Sequence, residues 1–583
     1  MKPTLVAALA ALLVPPLEAQ APQLPPAGAP VIRFNGELGS MGELYNRKGA
    51  PGRRPGGTGR VYFNGSAVLF GSDRMGVDVL VSTEDGTDYS AGYGAIPGRQ
   101  QIRQFGLHPE WNWGRAHVGA FNSSYTSLTY NAVQLTGAAF DLEPGRFRVG
   151  AFGGRAARTV PGGASTGSFR RTIAGGRLGI GRQPPGRPAT FLDLMVVGAW
   201  DDPNSLPVDT TLPPNAPTAG GPVPVNPYAV TPEENLVVGA AGGLSFLEGQ
   251  LAWRGEVAAA VHTRDRRASE LDADQVDMPG ILRDVITPRV GTHGDYAYST
   301  ELQVRVARLP GATPQGPRWL TASLGYRYAG PGYTSLGVAS LGNDYRVLEG
   351  RANVRFSRWS AQLQASDQND NLLGQKLHTT TRHRLGGTFS LRVSRVWNAT
   401  LRGNVVGMGN GSSDTLQWMD YSSWSIGTGH TFSFGPRRRF ESMSLDYNYQ
   451  DAGDANPRRT STSFTAHAAN VRLSVRLSPV LQVTPAVGLS RSRSDTAAWV
   501  SRATYGAAAA WRLREGRLTA TGSLHRSQYG PRNTWTGTLA SRVGVTSQDD
   551  IVLQIQVNRF RDTATPSNWY NEQLLSLRWA RRF

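Results

Sequence analysis

In Ile551-Val552-Leu553-Gln554-Ile555-Gln556-Val557-Asn558, apolar and polar side chains alternate from Leu553 to Asn558. Leu553, Ile555 and Val557 project to one side of an extended chain, and Gln554, Gln556 and Asn558 to the other. A segment of this kind is a β-strand with one face toward an apolar medium and one toward water. The same reading applies to 471–477 (VRLSVRL), 302–306 (LQVRV), 388–393 (TFSLRV), 146–152 (RFRVGAF) and 443–449 (MSLDYNY). The pattern recurs along most of a 583-residue chain, and a soluble β-sandwich rarely sustains alternation over such a length.

The segments between the strands alternate in length. Short ones include Gly71-Ser72-Asp73, Glu143-Pro144-Gly145, Leu247-Glu248-Gly249, Ser478-Pro479, Glu515-Gly516 and Gln548-Asp549-Asp550. Longer ones lie between them, among them 123–133, 201–232, 263–295, 328–342 and 561–568. Short turns on one side and long loops on the other are what a membrane barrel needs, with periplasmic turns and larger external loops. The expected fold is all-β: a single large antiparallel transmembrane β-barrel of about 26 strands, with both termini on the periplasmic side. Closure follows from the solvent, because an open sheet edge in hydrocarbon would leave backbone N–H and C=O groups unpaired at several kcal/mol each. The last strand must therefore pair with the first.

Composition agrees with a barrel. Hydrophobic residues make up only 39% of the chain, because only every second strand residue need meet lipid. The N-terminus, MKPTLVAALAALLVPPLEAQA, combines Lys2, an apolar core over Leu5–Val14 and the A-x-A-like Ala19-Gln20-Ala21. It reads as a signal peptide over 1–21. A Pro-rich periplasmic lead at 22–30 and the barrel at 31–583 complete the expected division. There is no cysteine, which excludes disulfides and thiolate chemistry. The net charge of +18 comes almost wholly from arginine, since lysine occurs only at Lys2, Lys48 and Lys376. These arginines are spread along the chain rather than clustered, so no nucleic-acid partner is expected.

The chain end reads Gln573-Leu574-Leu575-Ser576-Leu577-Arg578-Trp579-Ala580-Arg581-Arg582-Phe583. Leu575, Leu577, Trp579 and Phe583 share one face. A final strand of alternate apolar residues with a terminal aromatic resembles the C-terminal signal of bacterial outer-membrane β-barrel proteins, porin-like in architecture. The resemblance covers about Val31 to Phe583 and implies localisation in the outer membrane of a Gram-negative cell. It also implies lipid contact and recognition of this strand by the barrel assembly machinery. It identifies no subfamily and no cargo.

No motif for catalysis stands out. The nine histidines form no H-E-x-x-H pair, no G-x-S-x-G elbow is present, and neither a cofactor nor a metal site is expected. The Pro-rich segment 201–232 either folds into the lumen or stays outside. The charge-bearing pattern is arginine placement. If Leu302, Val304 and Val306 face lipid, Arg305 faces the lumen. The same parity places Arg146, Arg148, Arg355, Arg392, Arg472, Arg476, Arg512, Arg514 and Arg578 inside, all near a periplasmic turn or the C-terminus. They either form a positive collar in the lumen or snorkel into the headgroup zone. The functional expectation is a non-enzymatic pore or transport channel for small solutes, with anion preference if the collar lines an open lumen. The alternatives are a non-conducting binding or scaffold barrel for an outer-membrane partner complex and, least favoured, a hydrolase active at the barrel rim.

Overall fold

The computed structural model describes residues 32–583, apart from 70–72, 86–100, 161–166, 182–189, 207–229, 273–285, 308–318, 436–438, 495–496, 514–515 and positions 53, 55 and 339. The expected signal peptide and Pro-rich lead lie outside the described residues, as does most of loop 201–232.

Twenty-six strands make one antiparallel sheet. The first seven are β1 (Ile32–Lys48), β2 (Gly57–Leu69), β3 (Asp73–Asp85), β4 (Gln101–Trp111), β5 (Gly114–Ser123), β6 (Val133–Leu142) and β7 (Phe147–Ala157). Then come β8 (Arg171–Gly181), β9 (Phe191–Asp201), β10 (Glu234–Phe246), β11 (Leu251–Thr263), β12 (Thr292–Ala307) and β13 (Trp319–Ala329). The second half begins with β14 (Tyr345–Arg355), β15 (Trp359–Asp370), β16 (Thr380–Arg392), β17 (Trp397–Asn410), β18 (Asp420–Ser433) and β19 (Phe440–Asp454). It ends with β20 (Phe464–Ser478), β21 (Leu481–Ser494), β22 (Val500–Leu513), β23 (Leu518–Tyr529), β24 (Arg532–Gly544), β25 (Asp549–Asp562) and β26 (Trp569–Arg582).

Each strand pairs with its neighbours in sequence, and β26 returns to β1 in a register that runs from Glu37 opposite Arg582 to Lys48 opposite Asn571. The sheet is closed, and no edge is left for lipid. At the seam the Phe583 amide donates to the Gly36 carbonyl at 2.9 Å, and the Phe583 and Phe34 rings meet edge to face at 5.9 Å. The Arg578 guanidinium crosses the seam to the Glu37 carboxylate and donates to the Tyr62 hydroxyl at 2.8 Å.

β9 shows why these sequences choose their faces. Leu192, Leu194 and Val196 point outward, and Leu194 is 59% exposed; Phe191, Asp193, Met195, Val197 and Ala199 point inward, and Met195 is 2% exposed. Outward apolar side chains recur on every arc, for example Leu302, Leu363, Leu401, Leu489, Leu539, Leu575 and Leu577. In water such a surface would be untenable, since soluble monomers rarely expose large contiguous apolar patches. In lipid it is the required one. Trp253, Trp511 and Trp569 stand on the same outer surface toward strand ends, where indoles bridge hydrocarbon and headgroups. The closed barrel with its apolar exterior is an outer-membrane protein. The end bearing the termini and the short connections, such as 143–146, 356–358 and 479–480, is the periplasmic one.

Candidate functional site: a lumen filled on one side by two loops

The inner wall divides into a packed arc and an open arc. Along β5–β13 the inward faces carry many small or apolar residues: Phe121, Leu135, Ala139, Phe152, Ile173, Val197, Ala199, Val237, Ala258, Ala260, Ala297 and Ala329. All are buried, because two external loops fold down into the lumen against them.

The first loop, 124–132, closes on itself through the Tyr125 amide and the Tyr130 carbonyl at 2.9 Å. Its Tyr130 is fully buried and stacks on Phe152 with ring centroids 4.1 Å apart. Leu128 is also fully buried, among Val237 and the four alanines Ala258, Ala260, Ala297 and Ala329, whose small side chains leave room for it. The second loop, 330–344, lies beside the first. The Asn131 amide donates to the Gly337 carbonyl at 2.9 Å, the Tyr333 hydroxyl to the Leu128 carbonyl at 2.9 Å, and the Ser335 hydroxyl to the Thr129 carbonyl at 2.8 Å. Asn235 of β10 clamps the pair to the wall: its amide nitrogen donates to the carbonyls of Val261 and Thr334, and its oxygen accepts from the Leu336 amide. Backbone groups that would otherwise be orphaned inside a dry core are thereby satisfied.

Loop 371–379 is tied to this assembly from outside. Lys376 reaches Asp344 at 2.5 Å and Asp370 at 3.3 Å. The hydrogen bond to Asp344 raises the lysine amine above its ordinary value. Burial works to raise the Asp344 carboxyl, but the hydrogen bonds from Lys376 and from the Leu372 amide outweigh it and hold that carboxyl below its ordinary value.

Below the loops lies a charged cluster on β5–β9. Arg148 is 2% exposed and binds both oxygens of Asp193, at 2.9 and 2.8 Å. Arg177 binds Asp141 at 2.8 Å and sits over the Tyr125 ring of the first loop at 5.1 Å. Arg115 reaches Asp141 at 3.2 Å. Glycines make the space: Gly179 registers between Arg148 and Asp193, and Gly150 between Asp141 and Arg177. A Cβ on Gly179 would overlap the Asp193 carboxylate. Further round, Glu256 accepts from Ser127 of the first loop and from Ser299.

The open arc differs in kind. On β15–β17 the lipid-facing Leu363, Leu385, Leu401 and Val405 are exposed, and so are the inward-facing Gln362, Gln364, Arg384, Arg402 and Asn404. Side chains exposed on both faces of one sheet mean that solvent space lies inside as well as outside. At the periplasmic end of this arc a cleft of 280 Å³ is lined by Arg355, Arg358, Arg392, Gln362 and Asn398.

The arginines singled out by sequence divide accordingly. Arg148 belongs to the buried cluster, with Glu143 at 3.5 Å as a further partner. Arg476 pairs with Glu441 at 2.5 Å, and Arg578 pairs with Glu37. Arg146 sits in the exposed turn before β7. Arg305, Arg355, Arg392, Arg472 and Arg512 lie on inward register rows and are exposed, whereas Arg514 lies outside the described residues. Parity in the sequence does not distinguish a paired arginine from an unpaired one, because the partner carboxylates stand on other strands.

Sequence reasoning missed the two inward loops. Both carry the tetrapeptide Tyr-Thr-Ser-Leu, at 125–128 and 333–336, and 123–132 has no charged residue. An uncharged loop with tyrosine and leucine was the available signal. It also missed Asp78, His108 and His117, which form a lumen chain in which His108 lies 2.6 Å from Asp78 and 2.8 Å from His117. Among the described residues, no group of His, Asp and Glu has the arrangement of a metal site.

No protein family matches the chain, and no curated protein matches it by sequence. Among solved structures, a variant of the ferric enterobactin receptor from Pseudomonas aeruginosa matches with a TM-score of 0.39 at 10% identity, covering 94% of this chain and 80% of that one. The P pilus usher translocation pore matches with a TM-score of 0.31 at 9% identity, covering 94% and 99%. FpvAI in its complex with pyocin S2 gives 0.33 at 8% identity, covering 94% and 73%. Likenesses this distant say nothing of what the chain carries.

Proposed function

We propose that the barrel is a diffusion channel for small polar solutes, with modest preference for anions, and that its conducting path runs along the open arc. The observation that carries this reading is the double exposure of β15–β17, where Gln364 and Arg402 meet solvent space inside a wall whose Leu363 and Leu401 meet lipid. Anion preference is supported by exposed inward arginines on this arc and on the strands that follow the packed one, Arg355 on β14, Arg392 on β16, Arg472 on β20 and Arg512 on β22, none of which lies in an ion pair among the described residues. Unpaired guanidiniums around a water-filled passage favour anions. Their field is local, since screening acts over about 8 Å at physiological salt.

Single-channel recording in planar bilayers tests the reading. Steady conductance and an anion-selective reversal potential in a salt gradient are expected, and changing Arg355, Arg392, Arg472 and Arg512 to Gln should move the reversal potential toward zero. A silent protein would reject the channel, and cation selectivity would reject the role of the arginines. The second reading, a non-conducting binding barrel, is favoured by the packed arc, where the loops 124–132 and 330–344 pack directly against the inner wall.

A further inference from the structure

A band of arginines stands on the outside of the barrel. On β21 the exterior row runs Leu481, Val483, Pro485, Val487, Leu489 and then Arg491 and Arg493. On β23 it runs Leu518, Ala520, Gly522, Leu524 and then Arg526; on β25 it runs Ile551, Leu553, Ile555, Val557 and then Arg559 and Arg561. In each strand the change from apolar to basic occurs toward the external loops. The basic residues share register rows: Arg526, Trp535, Arg559, Asn571 and Lys48 stand opposite one another across five consecutive strands. Gln528, Asn533, Arg561 and Trp569 form the next row outward.

Three features separate this band from arginines that merely tolerate an interface. First, none of the five lies in an ion pair among the described residues, whereas the lumen arginines Arg148, Arg476 and Arg578 are each matched to a carboxylate. Second, no described Asp or Glu occupies the exterior rows of β21–β26 on the external side of the apolar belt. Third, aromatic rings hold several of the guanidiniums in place. Arg491 and Arg493 both stack on Trp499, at 4.5 and 5.0 Å, and Arg526 stacks on Trp535 at 5.3 Å. Stacking fixes the plane and leaves the N–H edges of Arg491 and Arg493 facing outward, which suits bidentate binding of a phosphate, while Arg526 also donates to the Asn533 side-chain oxygen at 3.2 Å.

We propose that this band, Arg491, Arg493, Arg526, Arg559 and Arg561 with Lys48, docks the phosphorylated headgroups of lipids in the outer leaflet. The position just above the apolar belt is where those headgroups lie, and an uncompensated row of cations is complementary to them and to no neutral lipid.

The test uses the full-length folded protein in phosphatidylcholine vesicles that contain either diphosphorylated lipid A or the same lipid stripped of its phosphates. Co-purified lipid is measured by native mass spectrometry, and the folded-to-unfolded gel transition is followed with temperature. The wild type should retain the phosphorylated lipid and melt at a higher temperature in its presence. Changing Arg491, Arg493, Arg559 and Arg561 together to Gln should weaken retention by nearly three orders of magnitude, since each cation near an anionic surface is worth roughly a fivefold gain. Arg384→Gln with Arg402→Gln, in the lumen, should leave retention intact. If the fourfold variant does not fold, Arg559→Gln with Arg561→Gln should show a partial loss. Equal retention of phosphate-free lipid, or undiminished retention by the exterior variants, would overturn the proposal.

Discussion

Arg148 and Asp193, forty-five residues apart on β7 and β9, face each other across a glycine and share two hydrogen bonds in a site closed to solvent. A buried pair of this kind is a weak source of stability while intact, but removing one partner leaves an uncompensated charge. Asp193→Asn is expected to lower unfolding stability by about 3–5 kcal/mol. Arg148→Met with Asp193→Leu should cost much less than the sum of the two single changes. Gly179→Ala, which pushes a methyl into the Asp193 carboxylate, should be comparably harmful. Urea unfolding in detergent micelles reads all of these, and strict additivity of the double change would count against the pairing.

The two inward loops restrict the lumen only while they stay docked. Asn235→Ala removes the side chain that bonds Val261, Thr334 and Leu336. Together with Tyr333→Phe, which loses the bond to the Leu128 carbonyl, it should loosen the pair and raise single-channel conductance or its noise. Unchanged conductance in a variant that folds normally would mean that the loops do not bound the conducting path.

The Lys376–Asp344 clamp gives a pH dependence. Asp344 titrates below its ordinary value, so its contribution is present above the unfolded value of about 3.9 and is lost as pH falls through the folded one. Lys376 titrates above its ordinary value, so its contribution is present below about 10.4 and fades only in stronger alkali. Loop 371–379 should hence be protected across the neutral range and released in acid. Hydrogen exchange at the Leu372 amide, which donates to Asp344 at 2.9 Å, follows this directly. Asp344→Asn should show the acid behaviour at neutral pH; identical protection in the two proteins would refute the clamp.

The closing strand carries the assembly prediction. Leu575 and Leu577 face lipid and Phe583 bonds β1 through its amide. Changing both leucines to Asp, or deleting Phe583, should block insertion. Charges near the membrane midplane cost about 2–4 kcal/mol for Arg or Lys and less for Asp. Membrane levels of the variants, by fractionation and heat-modifiable migration, check it; normal levels would show that this strand is not the closing signal.

Most of the wall was legible in the sequence. The alternation of 551–558 reappears as the faces of β25, and Leu575, Leu577 and Trp579 lie on one face of β26 as their parity required. The filling of the lumen was not legible. Loop 201–232 attracted attention through its prolines, yet among the described residues the segments that pack inside are 124–132, which carries no charge, and 330–344, whose one charged residue is Asp344 at its end. Arg148 and Arg512 looked alike in sequence and ended in opposite settings, one buried against Asp193 and one exposed.

The sequence by itself determined the strands, their faces and the need for closure. Those follow from a period of two and from the cost of unpaired backbone in lipid, both of which act within or between adjacent segments. Only the tertiary structure decided which arc of the lumen is dry, which arginines are neutralised and which stand unpaired on the exterior. Each of these depends on side chains brought together from strands and loops far apart in the chain. Leu128 meets Tyr333, Arg148 meets Asp193, and Arg526 shares a row with Arg559 and Lys48 only because closing the sheet fixes every register at once.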